Sequence, residues 1–359
     1  VWHDGHLWNA DFQQRKLHQI VIHDEQKHLL ADSRTSRVEH LWTMSNYGPG
    51  DVLDLQLNLA VPGDLKHQTL LGDVAFSMEP DAIETDRWDQ PCAVFTFDRV
   101  PAGEKIVVTY SVDVELAEIF WLIFPDRVGS LDDIPADIRS RYTADTSRYN
   151  FNSPYMQETV REIVGEETNP YWIARKIYDH ISGELEYQMI GGWDIPEVVL
   201  QRGSGSCSEY TYTFIALCRA AGVPARYQGS ISMRGDDASI DEAFHRWAQI
   251  YLPNYGWIPV DANRGDKALP ADQARGFGTL KNTLLITTHG GGGSEYLHWG
   301  YNSYADYKTT GYAKIDETHF GFWSPLDPEE DHEEERSSSD ADRARSEEHT
   351  SELQSHAPI

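Results

Sequence analysis

GSGSCSEYTYTFIALCRAAG, residues 203–222, reads as a tight turn that delivers Cys207 to the first turn of a helix. Gly203 and Gly205 permit the backbone angles and close approach that such an entry needs, and Ser206 can cap the amides that a helix start leaves without partners. Cys207 then falls on the first helical position. Thr211, Phe214, Cys218 and Ala221 follow at helical spacing, which predicts one inward stripe with Cys207 at its forward end, and Gly222 stops the helix. The positive end of the peptide dipoles stabilises a thiolate at a helix N-terminus, and the thiolate is the form of cysteine that attacks carbonyl carbon. A lone helical cysteine is otherwise a small core hydrophobe, which is how Cys218 reads.

A reactive thiol needs a base, and the downstream sequence offers one. Phe244–Leu252 alternates sides like a strand entering a core, and His245 stands at its start. After a turn at Pro253–Gly256, the run Trp257–Val260 is followed by Asp261. Strands joined by so short a turn pair antiparallel, which brings Asp261 to the His245 end. The expected site is therefore Cys207 as nucleophile, His245 as the group that holds and returns the proton, and Asp261 fixing the imidazole.

These segments, GSGSCSEYTYTFIALCRAAGVPAR and HRWAQIYLPNYGWIPVDAN, resemble the transglutaminase-like superfamily, whose pattern is a helix-borne Cys, a strand His followed by x-Trp, and a strand-end Asp. The resemblance runs from about Thr168 to Asn263. It implies an α+β fold, a papain-like core with the nucleophile helix packed on an antiparallel sheet, and it implies Cys207, His245 and Asp261 in the roles given above. It also implies an oxyanion hole formed by the Cys207 amide and a second donor upstream. An aromatic donor favours Tyr187 or Trp193, a papain-like glutamine favours Gln201, and Tyr187 is preferred. Trp247, Tyr296 and Trp299 are candidates for a substrate groove. The family includes proteases, amidases and cross-linking transglutaminases, so the expected activity is cysteine-dependent acyl transfer on a peptide or protein substrate. The competing reading is an inactive binding module of the same fold.

The chain has 359 residues, 40% hydrophobic and 11% aromatic, enough for two or three packed domains. Its 58 acidic against 30 basic residues give a formal charge of −28, which argues against nucleic acid as a partner. No apolar run reaches the length of a membrane span. Three cysteines without dense spacing are not a disulfide framework, and Cys207 and Cys218 lie about 16 Å apart along one helix. The acidic loop Arg234–Glu242 lacks the alternating ligand positions of a calcium site, so neither metal nor cofactor is expected. The first residue is Val1, which suggests an incomplete N-terminus and leaves both compartment and oligomeric state open.

Around the catalytic segment, residues 1–36 read as a poorly defined segment. Residues 37–121 alternate apolar and polar residues between Gly and Pro turns, predicting a β-sandwich of the immunoglobulin-like kind that accompanies this family. Residues 122–152 read as a surface connector and 153–324 as the catalytic domain. In the latter, Ser153-Pro154 opens one helix, a second starts near Thr168 and Pro170 with Trp172 on its core face, Arg226 is expected to make a structural ion pair, and the glycine run after His289 reads as flexible. From residue 325 the chain is acidic and serine-rich, predicting disorder, and 345–356 resembles the translation of a sequencing adapter.

Overall fold

The computed structural model describes residues 25–189 and 193–326, preceded by the backbone of three short antiparallel strands, β1 (Trp2–His3), β2 (His6–Asp11) and β3 (Lys16–Ile20). The acidic tail and the adapter-like segment lie outside the described residues.

Strand β4 (His28–Pro49) begins inside the segment read as poorly defined and runs for 22 residues. From Ser36 onward its burial alternates strictly, so Val38, His40, Trp42, Met44 and Asn46 face inward. After it come β5 (Val52–Ala60), the short strands β6 (Gln68–Leu70), β7 (Ala75–Phe76) and β8 (Ala82–Thr85), then β9 (Pro91–Val100) and β10 (Lys105–Trp121). The connector is not a surface strap. It carries α1 (Ala136–Tyr142), and it buries Val128, Tyr149 and Phe151 in the core of the helical half, with the Tyr149 hydroxyl donating to the Gly291 carbonyl at 3.1 Å.

The second half starts as the sequence predicts. Helix α2 (Pro154–Val164) is capped by Ser153 and α3 (Pro170–Glu184) by Asn169, each with Pro at its first position. Trp172, expected in the core, is 44% exposed; Ile173, Ile177 and Ile181 take that face. Then follow β11 (Glu186–Tyr187), α4 (Pro196–Arg202), β12 (Ser204–Gly205), α5 (Cys207–Ala220), β13 (Ala225–Ser232), β14 (Ser239–Asp241), β15 (His245–Leu252) and β16 (Gly256–Val260). The chain closes with α6 (Ala262–Gly265), α7 (Pro270–Ala274), β17 (Thr279–Leu280), β18 (Leu284–Gly290), β19 (Ser303–Thr309) and β20 (Ala313–Pro325).

The antiparallel sheet β16-β15-β13-β18 packs against α5, which α2, α3 and α4 cover from the other side. That enclosure buries α5 all round, from Glu209 to Arg219, rather than along the single stripe its periodicity suggested. The fold is α+β, with a helix laid on an antiparallel sheet beside a β-sandwich.

The sandwich is discontinuous in sequence. One sheet runs β14-β20-β4-β10-β17 and the other β19-β5-β9-β8, so both incorporate strands from beyond residue 300 that the sequence pattern assigned to the catalytic half. Their shared core includes Trp42, Leu57, Phe95 and Tyr110, and also Ile231, Met233 and Phe244 from the second half. Each such buried aromatic or aliphatic side chain stabilises the fold by roughly 2–3 kcal/mol relative to exposure, so the two halves share one set of apolar contacts. Gly321 marks the seam: a Cβ there would lie 2.1 Å from Ile231 Cγ2.

The glycine run also differs from expectation. A Cβ on Gly291 would lie 2.4 Å from the Trp88 ring and one on Gly293 2.9 Å from Trp299 Nε1, so this stretch is glycine because aromatic rings fill the space. Among the described residues, no helix is long and apolar enough to cross a membrane.

Candidate active site

Gly203 closes α4 in the left-handed conformation, φ 73°, which a glycine adopts without strain. Gly205 serves a different need, because a Cβ there would meet Glu209 Cβ at 2.8 Å. The short β11 pairs with β12 in parallel, Glu186 beside Ser204 and Tyr187 beside Gly205, and the Gln188 amide donates to the Gly205 carbonyl at 2.9 Å. Ser206 is the N-cap of α5 and Cys207 its first residue, half-buried at the helix tip.

Glu209 holds this turn together, a role that the sequence pattern alone did not bring out. Its buried carboxylate accepts from the Ser206 amide (2.8 Å), the Asp194 amide (3.0 Å) and Arg202 Nη2 (2.7 Å). The signal was present as the capping-box spacing Ser206-x-x-Glu209.

His245 opens β15, opposite Ser230 of β13. The β15–β16 register, Ala248 opposite Val260, carries Asp261 back to the start of β15. His245 Nε2 and Asp261 Oδ2 lie 2.7 Å apart, while Asp261 Oδ1 caps α6 by accepting from the Arg264 amide at 3.0 Å. The other ring nitrogen, Nδ1, is left for the Cys207 thiol, whose ionisation is coupled to that of His245. Thr211 ties helix to strand, its hydroxyl 2.7 Å from the Cys207 carbonyl and 3.1 Å from that of Arg246.

Electrostatics favour a charged pair. Burial opposes ionisation of Cys207, but the hydrogen bond and charge of His245, with Arg246 beside them, outweigh it and hold the thiol below its ordinary range. Burial likewise lowers His245, yet the Asp261 carboxylate and the sulfur overcome it and raise the imidazole to about 10. Asp261 is held below the usual carboxylate range: burial alone would raise it, and the imidazolium and the Arg264 amide prevail. The other two thiols differ in kind, since burial pushes both Cys92 and Cys218 upward.

Arg246, another residue missed from sequence, is fully buried one position beyond His245. Its guanidinium lies over the rings of Tyr301 (4.0 Å), Tyr212 (4.8 Å) and Tyr227 (4.9 Å) and donates to the Trp299 carbonyl at 3.0 Å.

Cys207, His245 and Asp261 open into a cleft of about 640 Å³ walled on one side by Tyr187. A second compartment of about 460 Å³ adjoins it across Ser208, Phe244 and Tyr301 and is lined by Trp193 and Trp299. The other candidates fall elsewhere. Gln201 is exposed and bonds Glu197 Oε1, because α4 turns it outward. Trp247 is fully buried with Ile119 and Ile286, its indole donating to Gln228 Oε1 at 3.1 Å, so it supports the His245 ring from beneath rather than lining a groove. Tyr296 lies by Cys92 and Leu297 against the sandwich. Arg226, expected in an ion pair, instead donates to Gln249 Oε1 at 2.8 Å and stacks on Trp257.

A half-buried thiol at a helix tip, an imidazole and a buried carboxylate on a helix-and-sheet scaffold define a cysteine-type enzyme fold. Residues 157–262 match the Transglutaminase-like superfamily. An uncharacterized protein of Haemophilus influenzae is 30% identical over 167 residues, 37% of this chain and 44% of that protein. A peptide-N(4)-(N-acetyl-beta-glucosaminyl)asparagine amidase of Macaca fascicularis is 27% identical over 104 residues, 28% of this chain and 14% of that one. The chain thus spans less than half the length of these curated relatives. A crystal structure named as a "Putative Cysteine Protease" from Cytophaga hutchinsonii shares the fold with a TM-score of 0.54 at 14% identity, over 83% of this chain and 100% of that one.

Proposed function

We propose that the protein is a cysteine-dependent acyl-transfer enzyme acting on peptide or protein amides, with hydrolysis as its outcome. The observation that carries this reading is the His245 imidazole, 2.7 Å from the Asp261 carboxylate at Nε2 and in the same cleft as the Cys207 thiol. The Cys207 thiolate attacks the amide carbonyl, and negative charge moves to the carbonyl oxygen, which accepts hydrogen bonds from the Cys207 amide and the Tyr187 hydroxyl. The imidazolium of His245 gives its proton to the departing nitrogen, the C–N bond breaks, and a thioester remains. Neutral His245 then takes a proton from water, whose oxygen attacks the thioester, and the thiolate leaves. Asp261 orients the ring throughout and stabilises its charged form.

Tyr187 as the second donor is supported by its place on the cleft wall, where β11 is hydrogen-bonded beside the turn that precedes Cys207. The names of two similar proteins, a protease and an asparagine amidase, both denote attack on an amide, in keeping with this chemistry. The test is incubation with casein, with and without a labelled primary amine. Peptide cleavage or ammonia release that disappears in Cys207→Ala is expected. Amine incorporation would replace hydrolysis by transamidation, and identical behaviour of wild type and Cys207→Ala on all three readouts would overturn the reading.

A further inference from the structure

The lining of the cleft runs against the charge of the chain. The protein carries 58 acidic and 30 basic residues, yet Arg234, Arg264, Lys267 and Lys281 surround the Cys207–His245 pair, faced by only Glu242 and by Asp261, which His245 occupies. Arg234 is committed to buried Asp241 at 2.9 Å. Lys267 and Lys281 are exposed and make no ion pair among the described residues, while Arg264 bonds no carboxylate side chain there but faces Asp261 and Glu118. Across Tyr301, in the second compartment, the guanidinium of exposed Arg148 lies over the Trp193 ring at 3.9 Å, again without a carboxylate partner among the described residues. Cations without a bonded carboxylate therefore line both compartments, which share Glu242. In an acidic protein a random surface patch of this size would hold the opposite balance.

We propose that the cleft selects acidic polypeptide segments, with substrate carboxylates on one side of the reacting amide docking on Lys267, Lys281 and Arg264 and those on the other side meeting Arg148. The proposal rests on the acyl-transfer reading of the same site and names its substrate class. Exposed lysines and a ring-stacked arginine are suited to this work because they lose little solvation before contact and attract anions over about a Debye length, near 8–10 Å. The global negative charge slows every anion alike, so the local field is read by comparison between variants of equal net charge.

Two measurements test it. In the first, the rates of Cys207 alkylation by iodoacetate and by iodoacetamide are compared in wild type, in K267E/K281E, and in K308E/K314E, which makes the same charge change on the sandwich. The iodoacetate-to-iodoacetamide ratio is expected to fall by about threefold or more in the cleft pair and by less than about 1.5-fold in the distant pair. The iodoacetamide rate on the same samples normalises for changes in the thiol itself. In the second, on wild-type protein, a glutamate-rich octapeptide is expected to protect Cys207 from iodoacetamide at concentrations where its glutamine counterpart does not. Equal ratios in the two variant pairs, or equal protection by the two peptides, would overturn the proposal while leaving the acyl-transfer reading intact. Iodoacetamide reacting with Cys207 no faster than with Cys92 would sink that reading and the substrate assignment together.

Discussion

Replacing Glu209 with Gln tests whether the turn before Cys207 is held as the structure describes. The side chain keeps its shape, but its hydrogen bonds cannot all survive. Oε1 accepts from Arg202 and the Asp194 amide, and Oε2 accepts from the Ser206 amide, so a glutamine in either orientation sets its NH2 against a donor. Arg202 retains Asp194 at 2.6 Å and the Ser204 carbonyl, so the ion pair is the lesser loss. The larger one is a part-buried backbone amide left facing a donor. A charge-assisted hydrogen bond lost and one donor stranded cost about 2–4 kcal/mol. Because the stranded amide adjoins Cys207, the nucleophile should also loosen, and its alkylation should slow by about tenfold. Urea unfolding and iodoacetamide kinetics measure the two effects. A stability within about 0.5 kcal/mol of wild type, together with an unchanged alkylation rate, would refute this reasoning.

Three other perturbations probe the same geometry. Asp261→Asn preserves an acceptor for the imidazole but removes the charge that raises it, so the alkaline limb of kcat/KM should move down by about 1–2 pH units, with a loss of about 10–100-fold at pH 8; an unmoved limb would contradict this. Gly205→Ala pushes a Cβ to 2.8 Å from Glu209 Cβ and should destabilise by about 1–3 kcal/mol, detectable as a lower urea midpoint with unchanged slope. His40 is fully buried between Tyr110 and Phe244, with neither ring nitrogen hydrogen-bonded, and burial pushes it down to about 3. Below pH 6.5 the unfolded chain binds a proton that the folded one refuses, so stability is lost as pH falls from 6.5 towards 3, by about 2 kcal/mol from this group at pH 5. His40→Phe should flatten the pH dependence by that amount, and an unchanged slope would argue against it.

What could be read from sequence was local or carried by a short turn. The N-cap, the glycine entry and the position of Cys207 are set by one twenty-residue stretch, and Asp261 reaches His245 because a tight hairpin permits a single register. Distant pairings left no such mark. Strands β19 and β20 alternate like any half-buried strand, and nothing local says that they join β5 and β4, more than 240 residues earlier. Arg246 looks like the polar residue of an alternating strand; that it is buried among three tyrosines depends on where residue 301 returns. Gly291 and Gly293 gave a composition signal of flexibility, whereas packed indoles supply the reason for them. The cationic lining was hidden by the net charge, because with Arg148 of the second compartment its members come from four separate segments of an acidic chain.

If His245 holds Cys207 as a thiolate, the pH dependence of Cys207 alkylation must show it. In wild type the rate should rise with a midpoint below that of an ordinary thiol, with Cys92 and Cys218 silent, and His245→Ala should return the midpoint to the ordinary range or above. A wild-type midpoint at or above that of a free cysteine, indifferent to the loss of the imidazole, would contradict the account.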